Sequence, residues 1–474
     1  MTKPKGETLE NKKKFKMPDT WIIVFAMVVI AAVLSWIVPA GSYDYKQVDI
    51  NGTIRNIAID GSYHVIDKAE TKPTGFLGLF SALYTGCVEA GSTIFMILCC
   101  CASFRIMVRT GAIHAGIGSL LKKLGNKGMI LAIVLMIVFG ICGSMFGMIS
   151  ELFGFYPLMV GLGVALGYDP IFGFAILCLG DYIGFTAGTL NPYNVAVSQG
   201  IAEVPMYSNQ PYRWFSFVVL LGISIIYLVH YGIKVKKDPT ISPVYGRPCI
   251  HSFSDGDLDE YKMDWRAILV LLDMLVSIAI LMVGLMKFNW SNTQLCGLFI
   301  IMSITAALIC GWDGQKYVDE FVEGVKGMIW GALIAGLSRA ILVVMNNAQI
   351  TDTIIYHLAE LLKKAPASIS AQLILFVQTL INLPISSATG QAAVTMPIMA
   401  PLADALNVTR DTACLAFQFG DGLTNLLWPT SNVVIVCGLA DIPYEKWVKW
   451  FLPLFFILLI AQMLLVGGAV ALGL

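Results

Sequence analysis

Long apolar segments recur along this chain of 474 residues, and they constrain its fold more than any other feature. A helix needs roughly 20 apolar residues to cross a hydrocarbon core of about 30 Å, and runs of this length recur from Trp21 to the C-terminus. Charged residues make up 13% of the chain, about half their share in an average soluble domain. The sequence therefore predicts an all-α polytopic membrane protein with about eleven to thirteen spans.

The charged residues lie mostly between the apolar runs, and their positions predict the topology. Lysines precede the first run at positions 3, 5, 12, 13, 14 and 16. Because positive residues favour the cytoplasmic side, we expect residues 1–19 to form a cytoplasmic tail and residues 20–74 to form the first span and an external loop. Residues 234–264 are interpreted as a polar cytoplasmic linker. The expected location is the cell (inner) membrane, with several passes and a cytoplasmic N-terminus.

Two parts of the chain resemble each other. Gly180-Asp181 matches Gly420-Asp421, and residues 194–205 match residues 432–443 at five of twelve positions, with Asn, Gly and Pro at the same spacing. Twofold repetition with broken helices is characteristic of secondary transporters.

We therefore predict one repeat at residues 75–233 and a second at residues 310–474, joined by linking spans at residues 265–309. We expect these two repeats to have opposite orientations in the membrane, as an inverted pair.

Each predicted repeat interrupts its apolar pattern at two places. Unpaired backbone groups in hydrocarbon cost several kcal/mol each, so such interruptions must face protein or a water-filled cavity. We predict re-entrant hairpins near 143–157 and 384–397, and broken helices near 184–194 and 424–432. The alternative for a segment such as Gly-Thr-Leu-Asn-Pro is a simple turn, but an interruption at the corresponding position of both repeats favours the broken helix.

Polar residues at these interruptions are the predicted substrate-binding residues. Broken helices expose carbonyl groups and half-helix ends that can bind ions, and Ser, Thr and Asn add hydrogen bonds. The predicted substrate-binding residues are Ser150, Glu151, Asp181, Thr186, Thr189, Asn191, Asn194, Thr389, Gly390, Gln391, Asp421, Thr430, Ser431 and Asn432. We predict no catalytic residue, no metal site and no cofactor.

The charges in these segments favour a cationic substrate. Glu151, Asp181 and Asp421 are costly at membrane depth and by default mark an ion or substrate pathway; the alternative is pairing with Arg105, Arg109 or Arg339. No Lys or Arg occurs in residues 143–195 or 384–408. A basic amino acid could pair with the acids and place its carboxylate at a half-helix N-terminus. A dicarboxylate transported with a coupling cation remains the alternative.

Several other functions lack their usual sequence patterns. The chain contains no GxxxxGK[ST], GxSxG or HExxH motif, which argues against an ATP-driven pump or a membrane hydrolase. Neither the continuous polar stripe of a channel nor a convergent catalytic set is readable. The eleven cysteines show no metal-ligand spacing. We therefore expect a non-enzymatic transporter whose partners are a small charged metabolite and lipid, with no nucleic acid.

Three segments carry a family resemblance: KKFKMPDTW, VLSWIVPAGSY, and GFTAGTLNPYN at residues 184–194. In these segments the chain resembles the YfcC-type branch of the anaerobic four-carbon dicarboxylate carrier family. The resemblance covers nearly the whole chain. The resemblance implies a fold like the ion transporter superfamily, a homodimer, and elevator-like movement of a transport domain at 143–205 and 384–443. It also implies antiport of basic amino acids of the arginine/ornithine type, although the family name points to dicarboxylates.

Overall fold

The computed structural model describes residues 20–50, 53–67, 71, 73–124, 127–250, 261–288, 290–362 and 369–474. The predicted cytoplasmic tail of residues 1–19 lies outside the described residues, as does part of the predicted linker, residues 251–260.

The described residues form 18 α-helices and two small antiparallel sheets. The first part of the chain contains α1 (Thr20–Ile37), β1 (Gly41–Ser42), β2 (Tyr45–Ile50), β3 (Thr53–Ala58), β4 (His64–Val65), α2 (Phe76–Glu89), α3 (Gly91–Arg109), α4 (Ala112–Leu124), α5 (Gly128–Ile141), α6 (Phe155–Ala165), α7 (Pro170–Thr186), α8 (Val195–Ile201) and α9 (Gln210–Lys237). The second part contains α10 (Trp265–Phe288), α11 (Asn292–Ile309), α12 (Gly314–Asn347), α13 (Thr351–Leu362), α14 (Ser370–Ile381), α15 (Ala388–Ala405), α16 (Arg410–Thr424), α17 (Val433–Leu439) and α18 (Tyr444–Leu472).

Seven helical segments among the described residues are long and apolar enough to cross a membrane, so the chain is a multi-pass membrane protein. They are Gly91–Arg109, Gly128–Phe146, Gln210–Lys237, Trp265–Gly284, Asn292–Ile309, Gly314–Asn347 and Tyr444–Leu472. The expectation of about eleven to thirteen spans is higher because it also counted shorter apolar segments, among them α1, α6, α7 and α14. Short legs such as α6 and α14 have 11 and 12 residues, too few to cross.

Two sets of helices follow one another in the same order. The first set is α2–α3 followed by α4, α5, α6, α7, α8 and α9, and the second is α12 followed by α13, α14, α15, α16, α17 and α18. The long span of the first set is divided at Ala90, whereas α12 continues for 34 residues. The fold is therefore two repeats with hairpins and broken helices; the outer boundaries at 75–233 and 310–474 stay predictions.

The orientation of the two repeats follows from the contacts between α2–α3 and α12, which are corresponding helices. Gly86, in α2, packs against Gly336 and Ala340, near the end of α12. At the other end, Arg105 of α3 forms an ion pair of 3.0 Å with Glu320, near the start of α12. The two spans are therefore antiparallel, and the repeats are inverted as predicted.

Helix packing separates the molecule into two groups. In the first group, α1, α2 and α3 pack around α12, α11 packs on α3, and α10 packs on α11. In the second, α5, α6 and α9 pack on α7, while α14, α15 and α18 pack on α16, and α7 contacts α16 directly. Both hairpins and both broken helices belong to the second group. The two groups meet mainly where α17 packs on α12.

The predicted external loop contains the β-structure, which the all-α prediction did not include. β1 pairs with β4, and β2 pairs with β3 from Tyr45 opposite Ala58 to Ile50 opposite Thr53. Asp352, in the first turn of α13, anchors this structure. Its carboxylate accepts hydrogen bonds from the Tyr43 backbone N–H at 3.1 Å and from the Tyr45 hydroxyl at 2.9 Å. The loop is therefore attached to the second repeat.

Candidate substrate-binding site

A cavity of about 500 Å³ lies where the hairpin tips and the helix breaks meet. The second helix group contributes Gly147, Ile149, Ser150, Glu151, Phe185, Tyr193, Ser386, Ser387, Ala388, Thr389, Asn425, Thr430, Asn432 and Ile435. The first group contributes Glu89, Ala90, Thr93, Asn292, Ala335, Ser338 and Arg339. Since this volume suits a small metabolite and both repeats contribute polar groups, the cavity is the candidate substrate-binding site.

The first hairpin tip places a carboxylate in the cavity. Helix α5 continues as a π-helix over Cys142–Phe146 and stops at Gly147, whose φ of 64° is left-handed and favours glycine. A single 3₁₀ turn at Ser150–Leu152 follows. The Glu151 carboxylate accepts a hydrogen bond from the Ile149 N–H at 3.0 Å, and the residue is 7% exposed. The tip therefore orients a mostly buried acid at the cavity wall.

The second hairpin tip presents hydroxyl groups and a helix N-terminus. Ser387 is the N-cap of α15, and its hydroxyl accepts a hydrogen bond from the Gly390 N–H at 3.3 Å. Thr389 lies in the first turn, with its hydroxyl 3.4 Å from that of Ser387. Because Ser386, Ser387 and Thr389 all line the cavity, this tip can donate hydrogen bonds to a bound anion or carboxylate.

The break between α7 and α8 is stabilised by the polar residues predicted to bind substrate there. The Asn191 side-chain amide donates to the Gly143 carbonyl at 3.1 Å, and that of Asn194 donates to the Phe185 carbonyl at 2.7 Å. The Thr189 hydroxyl lies 3.1 Å from that of Ser144, in the first hairpin. These bonds join the broken helix to the hairpin, so the two form one hydrogen-bonded unit.

Side chains from outside the break satisfy its remaining carbonyls. Gln418, in α16, donates from its amide to the carbonyls of Thr186 and Gly188, both at 2.9 Å. Arg213 donates to the Gln418 side-chain oxygen at 2.6 Å and forms an ion pair of 2.9 Å with Asp411. The second repeat therefore stabilises the broken helix of the first.

The break between α16 and α17 is attached to the second hairpin in a corresponding way. The Thr424 hydroxyl donates to the Asn382 side-chain oxygen at 2.9 Å, and the Asn382 amide donates to Asp421 at 2.9 Å. The Gln391 amide donates to the Gln378 side-chain oxygen at 2.7 Å. The Thr430 hydroxyl donates to the Leu383 carbonyl at 2.6 Å. This buried amide network makes the second hairpin and broken helix one unit.

The first helix group supplies two charged side chains to the cavity. Glu89 ends α2, and Arg339 lies in α12. Their side chains form an ion pair with 2.7 Å between the Arg339 Nε and the Glu89 Oε2, and each is 40% exposed. The cavity therefore contains Glu89, Glu151 and one guanidinium group.

The structure places the three acids of the sequence analysis differently. Glu151 lines the cavity, whereas Asp181 and Asp421 are fully buried behind it. Neither Asp181 oxygen has a hydrogen-bond partner among the described residues, and Asp421 has one oxygen without a partner.

The alternative that these acids pair with Arg105, Arg109 or Arg339 is wrong. Arg105 and Arg109 pair with Glu320, and Arg339 pairs with Glu89.

The predicted site residues fall into two sets. The cavity-lining set is Ser150, Glu151, Thr389, Thr430 and Asn432. The set outside the cavity lining is Asp181, Thr186, Thr189, Asn191, Asn194, Gly390, Gln391, Asp421 and Ser431. Most of the second set form the hydrogen bonds of the breaks and hairpins, which is a positioning role. That any of these residues contacts substrate stays a prediction.

Sequence reasoning missed the residues contributed by the first helix group, above all Glu89 and Arg339. Both belong to apolar spans outside the interruptions. For Arg339 the available signal was its position as an ionisable residue inside a predicted span, and it was read only as a partner for a buried acid. Among the described residues, no cluster of three or more His, Cys, Asp or Glu could hold a metal ion.

Two inverted repeats whose hairpin tips and helix breaks meet at a polar cavity define a secondary-transporter architecture, and the chain is a membrane transport protein. The anaerobic C4-dicarboxylate carrier family, DcuC, matches residues 17–471, and the chain belongs to this family. This result confirms the resemblance found in the sequence and supports a carrier rather than an enzyme.

Two relatives match almost the full chain. YfcC of Escherichia coli (strain K12), named as a candidate basic amino acid antiporter, is 29% identical, with 97% of this chain and 98% of YfcC covered. An uncharacterized protein of Haemophilus influenzae is 27% identical over 96% of this chain and 98% of its own length.

Two solved transporter structures were also matched. YdaH of Alcanivorax borkumensis has a TM-score of 0.44 at 15% identity, covering 96% of this chain and 99% of YdaH. MtrF of Neisseria gonorrhoeae has a TM-score of 0.43 at 18% identity, covering 95% of each chain. Similarity at this level carries no functional conclusion.

Proposed function

We propose that the protein is a secondary active transporter of the cell membrane that antiports basic amino acids of the arginine/ornithine type. The observation that carries this proposal is the charge of the cavity at the hairpin tips. Its lining contains two carboxylates and one guanidinium group, so its formal net charge is −1. Charge complementarity at a partly dehydrated site selects strongly among small ligands.

A basic amino acid has the complementary charge, since it carries two cationic groups and one carboxylate at neutral pH. Glu151 has no cationic partner among the described residues, whereas Glu89 is paired with Arg339. Glu151 therefore binds the cationic side chain. Ser150, Thr389, Thr430 and Asn432 supply hydrogen bonds around the rest of the molecule.

A C4-dicarboxylate transported with Na⁺ or H⁺ is the second candidate. The family description favours it, and Arg339 gives the cavity a basic residue. However, a doubly negative substrate would face a lining in which two carboxylates, Glu89 and Glu151, outnumber the one arginine. Such a substrate would need a coupling cation to offset the repulsion.

The packing supports an elevator-like mechanism. Both hairpins and both broken helices belong to the second helix group, whose internal hydrogen bonds make it one unit. This group acts as the transport domain, and the first group, centred on α12, acts as the scaffold. In the proposed arrangement the protein is a homodimer in the inner membrane with its N-terminus in the cytoplasm.

Counterflow in proteoliposomes tests the substrate. One set is loaded with unlabelled ornithine and exposed to labelled arginine, and a parallel set is loaded with succinate and exposed to labelled succinate. Accumulation of arginine alone supports the proposal. Accumulation of succinate alone, dependent on a sodium or proton gradient, would replace it with the dicarboxylate function.

A further inference from the structure

We propose that, in the conformation described here, Glu89 and Arg339 of the scaffold bind the zwitterionic end of the substrate and release it when the transport domain moves. Arg339 binds its α-carboxylate and Glu89 its α-ammonium group. This inference rests on the proposed function and extends it: the transporter would select α-amino acids over amines or dicarboxylates of similar length. Arg339, in α12, thereby takes the role of binding the substrate carboxylate that the sequence pattern predicts for a half-helix N-terminus.

The exposure of this ion pair suits a ligand-binding role. Arg213 and Asp411 form a buried pair, with side chains 2% and 8% exposed, and it lies away from the cavity lining. In contrast, the Glu89 and Arg339 side chains are each 40% exposed and both line the cavity. Partly exposed groups at a cavity wall can exchange partners with a ligand without the cost of breaking a buried pair.

Both side chains have binding capacity left. Among the described residues, the two side chains are joined by one hydrogen bond, from the Arg339 Nε to the Glu89 Oε2. A guanidinium has five N–H donors, and a carboxylate can accept several hydrogen bonds. The two terminal nitrogens of Arg339 can therefore form the bidentate contact that arginine makes with carboxylates, while Glu89 still accepts from an ammonium group.

The charges of the pair are complementary to those of the α-ammonium and α-carboxylate groups of a free amino acid. A bound zwitterion would place its carboxylate beside Arg339 and its ammonium beside Glu89, so each of the four charges would have an opposite neighbour. Glu89 is also the last residue of α2, where the negative end of the helix favours a cation. An amine without a carboxylate, or a dicarboxylate without an ammonium group, would satisfy one side of the pair at most.

Counterflow by the full-length protein tests this inference with two ligands that differ only at the α-carboxylate. Arginine and agmatine share the guanidinium, but agmatine lacks the carboxylate. Inhibition of labelled arginine uptake is measured with each ligand for the wild type, Arg339→Gln and Glu89→Gln. We expect the wild type to prefer arginine by about tenfold or more, since a charged hydrogen bond contributes roughly 1.5–3 kcal/mol. Arg339→Gln should lose this preference, because inhibition by arginine weakens while inhibition by agmatine does not.

Arg109→Gln is the matched control, because Arg109 forms an ion pair with Glu320 and does not line the cavity. It should keep the preference for arginine.

The inference is overturned if wild-type protein binds agmatine and arginine equally, or if Arg339→Gln weakens the binding of both ligands to the same extent. The wild-type comparison holds even if a variant does not fold. If arginine does not accumulate at all, the proposed function fails as well, and that result is distinct from equal binding of both ligands.

Discussion

Glu151 is the residue on which recognition of the substrate side chain depends in the proposed function. It lines the cavity, and its carboxylate accepts a hydrogen bond from the Ile149 N–H. We predict that Glu151→Gln raises the KM for arginine by about tenfold or more, because the amide keeps the shape and one acceptor but loses the charge. The KM is measured by arginine–ornithine counterflow in proteoliposomes.

Glu203→Gln provides the control for this substitution. The Glu203 side chain is 76% exposed and pairs with Arg410 away from the cavity, so its KM should match the wild type. An unchanged KM in Glu151→Gln would remove Glu151 from the proposed site.

At the scale of elements, the contact between α9 and α16 depends on one buried ion pair. Arg213 bonds Asp411 and Gln418, and Gln418 in turn bonds the carbonyls of the α7 break. We predict that Arg213→Leu lowers the free energy of unfolding by about 3–5 kcal/mol, because it leaves the Asp411 carboxylate buried without its cation. The midpoint of thermal unfolding in detergent is the measurement.

The double variant Arg213→Leu with Asp411→Leu should recover part of this loss, since it removes both buried charges. Arg247→Leu is the comparison for a more exposed pair, because Arg247 and Asp441 are 43% and 30% exposed. It should cost no more than about 1 kcal/mol. A loss of equal size in both single variants would show that burial does not determine the effect.

The attachment of the β-structure (β1 to β4) to α13 predicts a pH dependence. Partial burial, and then the Asp352 carboxylate, raise the pKa of the Tyr45 hydroxyl above its ordinary value of 10.0. As the pH rises above about 10, the unfolded chain therefore loses this proton before the folded protein does. Stability from this contact should be fully present below pH 10 and decrease above it.

Tyr45→Phe tests the assignment. Thermal unfolding is compared at about pH 9 and pH 10.5 for both proteins. The wild type should lose more stability over this interval than Tyr45→Phe, which has no hydroxyl proton to release at that position. Equal losses would assign the alkaline sensitivity to other groups.

At the scale of the whole molecule, the proposed elevator-like mechanism requires the two helix groups to move past each other. They meet where α17 packs on α12. A Cβ placed on Gly438 would lie 3.6 Å from the Gly331 Cα and 2.8 Å from the Trp330 ring, which must shift to admit it. We predict that Gly331→Cys with Gly438→Cys forms a disulfide under oxidation. The cross-linked protein should lose arginine–ornithine exchange, and reduction should restore it.

Each single cysteine variant provides the control, because the chain already contains eleven free cysteines. Oxidation should leave exchange by the single variants unchanged. Full exchange by the cross-linked double variant would contradict movement of the transport domain relative to α12 at this contact.

The sequence predicted the elements whose signals are local. Apolar length predicted the long spans, and proline, glycine and polar residues inside apolar runs predicted the two hairpins and two broken helices, because hydrocarbon tolerates exposed backbone only at protected sites. Similarity between segments such as 194–205 and 432–443 predicted the repeats. These features follow from the order of residues along the chain.

The tertiary structure decided which polar side chains line the cavity. Asn191 and Asn194 carry the expected motif, yet they hydrogen-bond the backbone of the hairpin and the broken helix. Glu89 and Arg339 are 250 positions apart and meet in the cavity wall. The sequence by itself determined where the helices span and break, because hydropathy and backbone chemistry act locally. Only the packing of distant helices determined which charges the cavity contains, because a side chain's neighbours depend on how inverted repeats fit together.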